Sequence, residues 1–364
     1  MRDAMDKNRM GAVNYPGVDL AKFICALMVV AIHISPFGAR DSGARALLNF
    51  GVQQWLTKIA VPFFFVASGF FLYRKSGYDD FSADATKRYV LKLLKLYAIW
   101  SILYLPLRMK DILFSESGIA HEVLRYLQYV IFVGSYTQLW YLTAAAFAVI
   151  LVSFLISRRV AIKKILLIAA LLYGMGLLAQ SWFGVIVPLR TWTPSLWALL
   201  KRIQEVMLTT RNGLFEGFLF VGMGATIAYR GFRMSGRTAW IGFIVSYVLM
   251  LMEVVFVTHF RLSRETSMYI FLVPLTYFAF GLAMNLPLRD RKIYGTLRVL
   301  STLIFLIHLW VRWLIQKAFW MFGFNVARTG LLYILTVLFS ILCSLLIVKL
   351  SEVKHFRWLK RLYS

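Results

Sequence analysis

Ten predominantly apolar stretches follow one another through the chain, near residues 17–36, 50–73, 88–107, 139–157, 163–182, 213–230, 238–258, 267–286, 297–320 and 329–350. A helix rises about 1.5 Å per residue, so about 20 such residues match the roughly 30 Å hydrocarbon core of a bilayer. The pattern predicts an all-α fold, a polytopic transmembrane helix bundle of about ten spans. Little chain remains for a soluble domain, and no low-complexity segment or repeat divides it. Residues 1–364 therefore read as one integral-membrane domain.

Composition agrees. Apolar residues make up 60% of the chain and aromatics 16%, with a mean hydropathy of +0.70, far from the balance of a soluble domain. The formal charge of +25 is spread over short clusters between the apolar stretches, which argues against a nucleic-acid partner. Those clusters alternate: Arg74, Lys75, Lys87 and Arg88; Arg158, Arg159, Lys163 and Lys164; Arg230, Arg233 and Arg237; Arg289, Arg291 and Lys292; Lys354, Arg357, Lys360 and Arg361. By the positive-inside rule these loops, and with them both termini, are expected in the cytoplasm. Cys25 and Cys343 lie inside apolar runs without zinc-type spacing, so neither a disulfide framework nor a metal site is expected. The polar opening residues and the uncleavable look of the first apolar run predict that this span is retained. The two longest connections, near 108–138 and 183–212, fall on the predicted outer side; in the first, "HEVLRYLQYVIFVG" reads as a short interfacial or re-entrant helix.

Ionisable residues inside spans are costly and mark sites or paths. In the first span Lys22 and His33 are eleven positions apart, three helical turns, and so share one face about 16 Å apart along the axis. Lys22 alone reads most simply as a snorkelling cation paired with Asp19 one turn back. His33, toward the outer end, favours a functional role because a neutral imidazole accepts a proton near neutral pH. His308 lies in "LSTLIFLIHLWVRWLI" with Arg312 one turn later on the same face, a pair suited either to helix bonding or to a polar cavity. Glu216 opens the sixth span, where the helix dipole favours a carboxylate and Asn212 fits an N-cap. It also shares the outer half with His33, which it could orient or charge-balance, while nearby Arg211 suits an anion. Glu253 is buried by its position with no partner evident in the sequence. At the start of the third span Arg88, Lys92 and Lys95 form one basic stripe, suited to lipid phosphates or to a phosphorylated cytoplasmic donor. Neither a Walker loop nor GxSxG occurs. His121, His259 and His355 fall in predicted loops or tails.

The chain resembles acyltransferase family 3, integral-membrane acyltransferases that modify bacterial cell-surface glycans and related acceptors. The resemblance rests on a basic residue and a histidine separated by ten residues, Lys22 and His33. It rests also on the order of "VPFFFVASGFFL", the basic run opening the third span, "LWYLTAAAF", "RNGLFEGFLFVGMGA" and "IFLIHLW". It implies transfer of an acyl group, commonly acetyl from cytoplasmic acetyl-CoA, to a hydroxyl of an outer glycan or lipid-linked acceptor, in a multi-pass protein of the bacterial inner (plasma) membrane surrounded by its lipids. On that resemblance His33 matches the essential histidine, as general base or transient acyl carrier. Lys22 matches the basic member of the motif, with Arg88, Lys92 and Lys95 as candidates for the CoA phosphates; from the residues themselves Glu216 joins His33 as the second catalytic candidate, and Arg211, His308 and Arg312 are further cavity candidates. The sequence departs from better-known members in having lysine where many have arginine and in lacking an extracellular hydrolase-like domain. Similar membrane domains also occur in the serine racemase of vancomycin resistance, where the domain is associated with serine uptake, so a carrier for a small polar solute stands as the alternative.

Overall fold

Runs of Leu, Ile, Val, Phe and Ala without interruption satisfy their backbone best as helices, and every described stretch of regular structure is helical. The computed structural model describes residues 14–38, 43–74, 82–113, 118–232, 234–324, 326 and 329–364. Two of the predicted loop cations, Lys75 and Arg233, and nearly all of the polar N-terminal segment lie outside the described residues. We number the helices α1 (Pro16–Ile34), α2 (Ala44–Tyr73), α3 (Ala83–Leu113), α4 (Ile119–Phe132), α5 (Trp140–Ser157), α6 (Ile162–Leu178), α7 (Pro194–Met207), α8 (Phe218–Arg230), α9 (Gly236–His259), α10 (Leu272–Asn285), α11 (Lys292–Met321) and α12 (Gly330–Leu350).

Each of the ten predicted spans falls on one of these helices, but the expectation of ten full crossings is corrected. Among the described residues seven helices are long and apolar enough to cross a membrane: α1, α2, α3, α5, α9, α11 and α12. An eighth arises if α6 is joined to Phe183–Trp192 across a bend of 83°. The other two, α8 and α10, have 13 and 14 residues. At about 1.5 Å per residue α10 covers only about 20 Å of the bilayer, whereas α8 with the π-helical turn Gly213–Gly217 that runs into it reaches about 27 Å.

Close packing at the centre comes from small residues. On α2 a Cβ at Gly69 would strike the Val221 carbonyl of α8, and on α8 a Cβ at Gly224 would strike the Val66 carbonyl of α2. The two backbones thus meet at a crossing that only glycine permits on both sides. Fully buried Phe63, Phe65, Phe218, Phe220 and Phe280 fill the space around it.

Two helices contain π-helical turns, each with one extra residue per turn. Gly51–Leu56 interrupts α2, and Gly213–Gly217 leads into α8. Gln53, in the first, donates its amide to the Ala31 carbonyl near the C-terminal end of α1 (2.7 Å). Asn212 caps the second as expected: its side-chain oxygen accepts from the backbone N–H groups of Leu214 and Phe215.

Glu253, which the sequence leaves without a partner, has three. It accepts from Trp182 Nε1 (2.7 Å), Ile270 N (2.8 Å) and Phe271 N (3.0 Å). The carboxylate therefore closes the N-terminus of α10 and ties it to the bend after α6, a capping role. Amphipathic α4 and α7 occupy the two long connections. They touch where Gln128 donates to the Glu205 carbonyl (3.3 Å), and α4 leaves Leu124, Leu127 and Ile131 exposed, as an interfacial helix does.

Candidate functional site

Two cavities flank α1, and several of the side chains predicted to matter line them. The larger, about 430 Å³, is lined by Lys22, Arg74, Lys92 and Arg298 together with Tyr89 and Ser68, with no carboxylate among the described lining residues. The smaller, about 70 Å³, is lined by His33, Lys58, Gln138, Trp140, Arg211 and Glu216. Lys22 belongs to the first and His33 to the second, so one face of α1 serves both, as the eleven-residue spacing predicts.

In the basic cavity the predicted pairing of Asp19 with Lys22 is replaced by another. Arg298 of α11 donates from Nε to Asp19 Oδ1 (2.8 Å) and from Nη2 to Asp19 Oδ2 (2.6 Å), a bidentate fork on a carboxylate whose side chain is 1% exposed. The local helical neighbour loses to a residue 279 positions away because the planar guanidinium matches both carboxylate oxygens at once. Lys22 instead lies near the Phe71 ring, 6.0 Å from its centroid. Of the predicted stripe only Lys92 lines the cavity; Arg88 and Lys95 are exposed on α3 away from it. Tyr363, directly after the short C-terminal 3₁₀ helix Lys354–Leu362, closes one side, its hydroxyl 2.8 Å from Ser351 Oγ.

The small pocket is built by helix ends and breaks. His33 occupies the last turn of α1. Arg312 donates from Nη1 to the His33 carbonyl (2.8 Å), placing a cation where the last carbonyls of the helix lack partners. His308, fully buried, stands with its ring centroid 5.2 Å from that of His33. Its Nδ1 is 3.0 Å from the Ile304 carbonyl, an acceptor only, so Nδ1 carries the proton and Nε2 is the free acceptor. That Nε2 is buried without a hydrogen-bond partner. The π turn brings Glu216 to the pocket with Oε2 equally unpartnered. Arg211 stacks its guanidinium over the Trp140 ring at 4.8 Å and leaves its buried Nε unpaired. Gln138 donates to the Leu306 carbonyl (3.3 Å) while its Oε1 has no partner.

Buried polar atoms are almost always satisfied, so three unpartnered ones on residues that line one small cavity, with a fourth on His308 beside His33, describe a site prepared for a polar ligand. His33, Glu216, Arg211 and His308 are brought together, and Arg312 holds the first of them. His121, His259 and His355 are exposed, as expected. Lys58, Arg74, Arg298, Gln138 and Phe305 escape the sequence reading as site residues. For Lys58 the signal was available, a cation within the apolar 50–73 stretch. For Arg298 it was not, because its partner is set by tertiary packing. No cluster of metal-ligating side chains occurs among the described residues.

Residues 15–349 match the family model described as an acyltransferase domain, and the chain belongs to this family of multi-pass membrane acyltransferases. Its similar relatives include an amino-acid racemase of Enterococcus faecalis, 28% identical over 273 residues that cover 75% of this chain and 36% of the relative. A serine/alanine racemase of Enterococcus gallinarum is 29% identical over 298 residues, 80% of this chain and 40% of the relative. The chain thus spans well under half the length of the curated relatives it matches. No solved structure matches it.

Proposed function

We propose that the protein is an O-acyltransferase of the bacterial plasma membrane that moves an acyl group, acetyl in the simplest case, from cytoplasmic acyl-CoA to a hydroxyl of a cell-envelope glycan or lipid-linked acceptor. The observation that carries this reading is the service of two cavities by one helix face, a basic one at Lys22 and a polar one at His33. Phosphates of the donor suit the four cations of the larger cavity, which lies at the Lys22 end of α1, the end expected to face the cytoplasm. The pantetheine arm is then directed along α1 toward His33.

At the small pocket the acceptor oxygen attacks the thioester carbonyl carbon while the His33 imidazole takes the hydroxyl proton. The carbon–sulfur bond breaks, and His33 returns the proton to the departing thiolate. The products are an acyl ester and free CoA, and His33 ends neutral. Glu216 stabilises the transient imidazolium, and Arg211 with Lys58 balances negative charge at the reacting carbonyl. Arg312 and His308 hold His33 in place.

The test is CoA release by purified protein with acetyl-CoA and a cell-envelope fraction as acceptor, followed by mass spectrometry of that fraction. In His33→Ala, acceptor-dependent release falls by about 10²-fold or more, whereas CoA binding persists. Full activity in that variant would falsify the mechanism. The alternative, a carrier for a small zwitterion such as an amino acid, draws on the racemase names of the relatives and on the opposite charges of Glu216 and Arg211 at one pocket. Saturable uptake of serine into proteoliposomes without acyl-CoA consumption would favour it.

A further inference from the structure

The basic cavity and the His33 pocket share one wall. Among the described lining residues Phe305 of α11 is common to both. Its ring is 6% exposed and leans on two aromatics of the basic cavity, with centroids 6.1 Å from Phe64 and, edge to face, 5.5 Å from Tyr141. The backbone behind it is held. The Leu306 carbonyl accepts from Tyr104 (2.6 Å) and from Gln138 (3.3 Å), which anchors α11 next to Phe305. Tyr141 is held in turn, donating to the Phe64 carbonyl (3.2 Å) with Ser68 2.9 Å from its hydroxyl.

The small pocket measures about 70 Å³. At roughly 15–30 Å³ for each water-sized group it has room for about two to five. The three heavy atoms of an acetyl group, with the acceptor oxygen and the carbon that bears it, fill that space. A butyryl group brings two methylenes more, and Phe305 is the side chain that borders both cavities.

We propose that Phe305 is the specificity-determining residue of the transfer: it partitions donor cavity from acceptor pocket and selects acetyl over longer acyl groups. This rests on the acyltransferase reading above. It concerns acyl selection only and leaves the roles of His33 and the basic cavity unchanged.

The experiment compares acetyl-CoA with butyryl-CoA in membrane vesicles that carry the protein and endogenous acceptor, with incorporated acyl groups counted by mass spectrometry. Binding of CoA to the purified proteins serves as the control for folding. Wild type prefers acetyl. Phe305→Ala, and more mildly Phe305→Leu, raise the butyryl to acetyl ratio of kcat/KM by at least tenfold. Phe305→Trp lowers acetyl transfer while CoA binding is retained. If wild type transfers acetyl and the ratio stays within twofold in both shortened variants, the assignment of Phe305 is wrong and the transferase reading stands. If wild type transfers neither acyl group although it binds CoA, the transferase reading fails and takes this inference with it.

Discussion

Replacing Arg298 by alanine separates what the basic cavity owes to its architecture from what it owes to its charge. The guanidinium makes two short, charge-assisted hydrogen bonds to Asp19, whose side chain is 1% exposed, although Arg298 itself is 44% exposed. Solvent at the arginine weakens the pair, but the carboxylate has no such access. Its loss of a partner leaves a buried charge, a change that costs about 3 kcal/mol or more. Arg298→Ala should therefore lower the thermal midpoint of the protein in detergent and weaken CoA binding. The double variant Asp19→Asn with Arg298→Ala removes the stranded charge and should recover more than half of the lost stability. CoA affinity in the double variant should stay reduced, because one of four cations lining the cavity is still missing. A single half-exposed cation contributes about 1–2 kcal/mol to binding a phosphate, which is roughly five- to thirtyfold in Kd. Calorimetric titration with CoA, which needs no acceptor, measures the second effect, and thermal unfolding measures the first. Wild-type CoA affinity in the double variant would remove Arg298 from the donor site. Undiminished stability in Arg298→Ala would mean that the Asp19 pair does not hold α11 to α1.

Other outcomes follow from local geometry. Glu253→Gln replaces a carboxylate that accepts three hydrogen bonds by an amide that offers one acceptor oxygen and points donors at N–H groups; a loss of about 2 kcal/mol is expected. Faster hydrogen exchange at Ile270 and Phe271 would report it, and unchanged exchange would refute the capping role. Gly224→Ala pushes a methyl group into the Val66 carbonyl and should cost about 1–3 kcal/mol, while the same change at Gly174 on α6, where no neighbour lies within reach and the backbone is helical, lacks that clash. Equal melting behaviour of the two variants would show that the α2–α8 crossing tolerates a side chain. His33→Ala should abolish acceptor-dependent CoA release and leave CoA affinity within twofold, since His33 and the basic cavity lie at separate depths of α1.

Much of the helical framework was legible because an apolar run of this length has few other folds open to it. What was not legible concerns breaks and partners. Hydropathy gives 163–182 and 267–286 the look of ordinary spans, yet α6 bends sharply after Leu178 and α10 keeps only 14 residues. Those outcomes depend on Glu253, Trp182 and the loop around Ile270, residues far apart in sequence. Asp19 was misread for the same reason: helical spacing offered Lys22, whereas packing of α11 against α1 delivered Arg298. Lys92 and Lys95 share a predicted stripe, but the fold turns only Lys92 into a cavity wall. His33, by contrast, could be singled out from its own helix, because depth and residue type in lipid constrain a histidine severely.

The groups around the small pocket share a further property. His33 lies in the last turn of α1, Glu216 in the π turn before α8, Lys58 just past the π turn of α2, and Arg211 directly before Asn212. All four come from places where a helix ends or gains a residue. In a membrane an uninterrupted helix satisfies its own backbone and presents only side chains, so a polar ligand meets little but hydrocarbon. Terminated helices expose dipole ends and allow charged side chains to converge from several directions. The insertion of one residue also turns everything beyond it by about 100°, which re-aims a side chain that regular spacing would send elsewhere. Hydropathy averages across such a break, and a heptad-like count mispredicts the face beyond it. The chemistry of this chain is therefore concentrated where the helical rules lapse, whereas Phe305, on the unbroken α11, is a wall residue whose position follows those rules without a break.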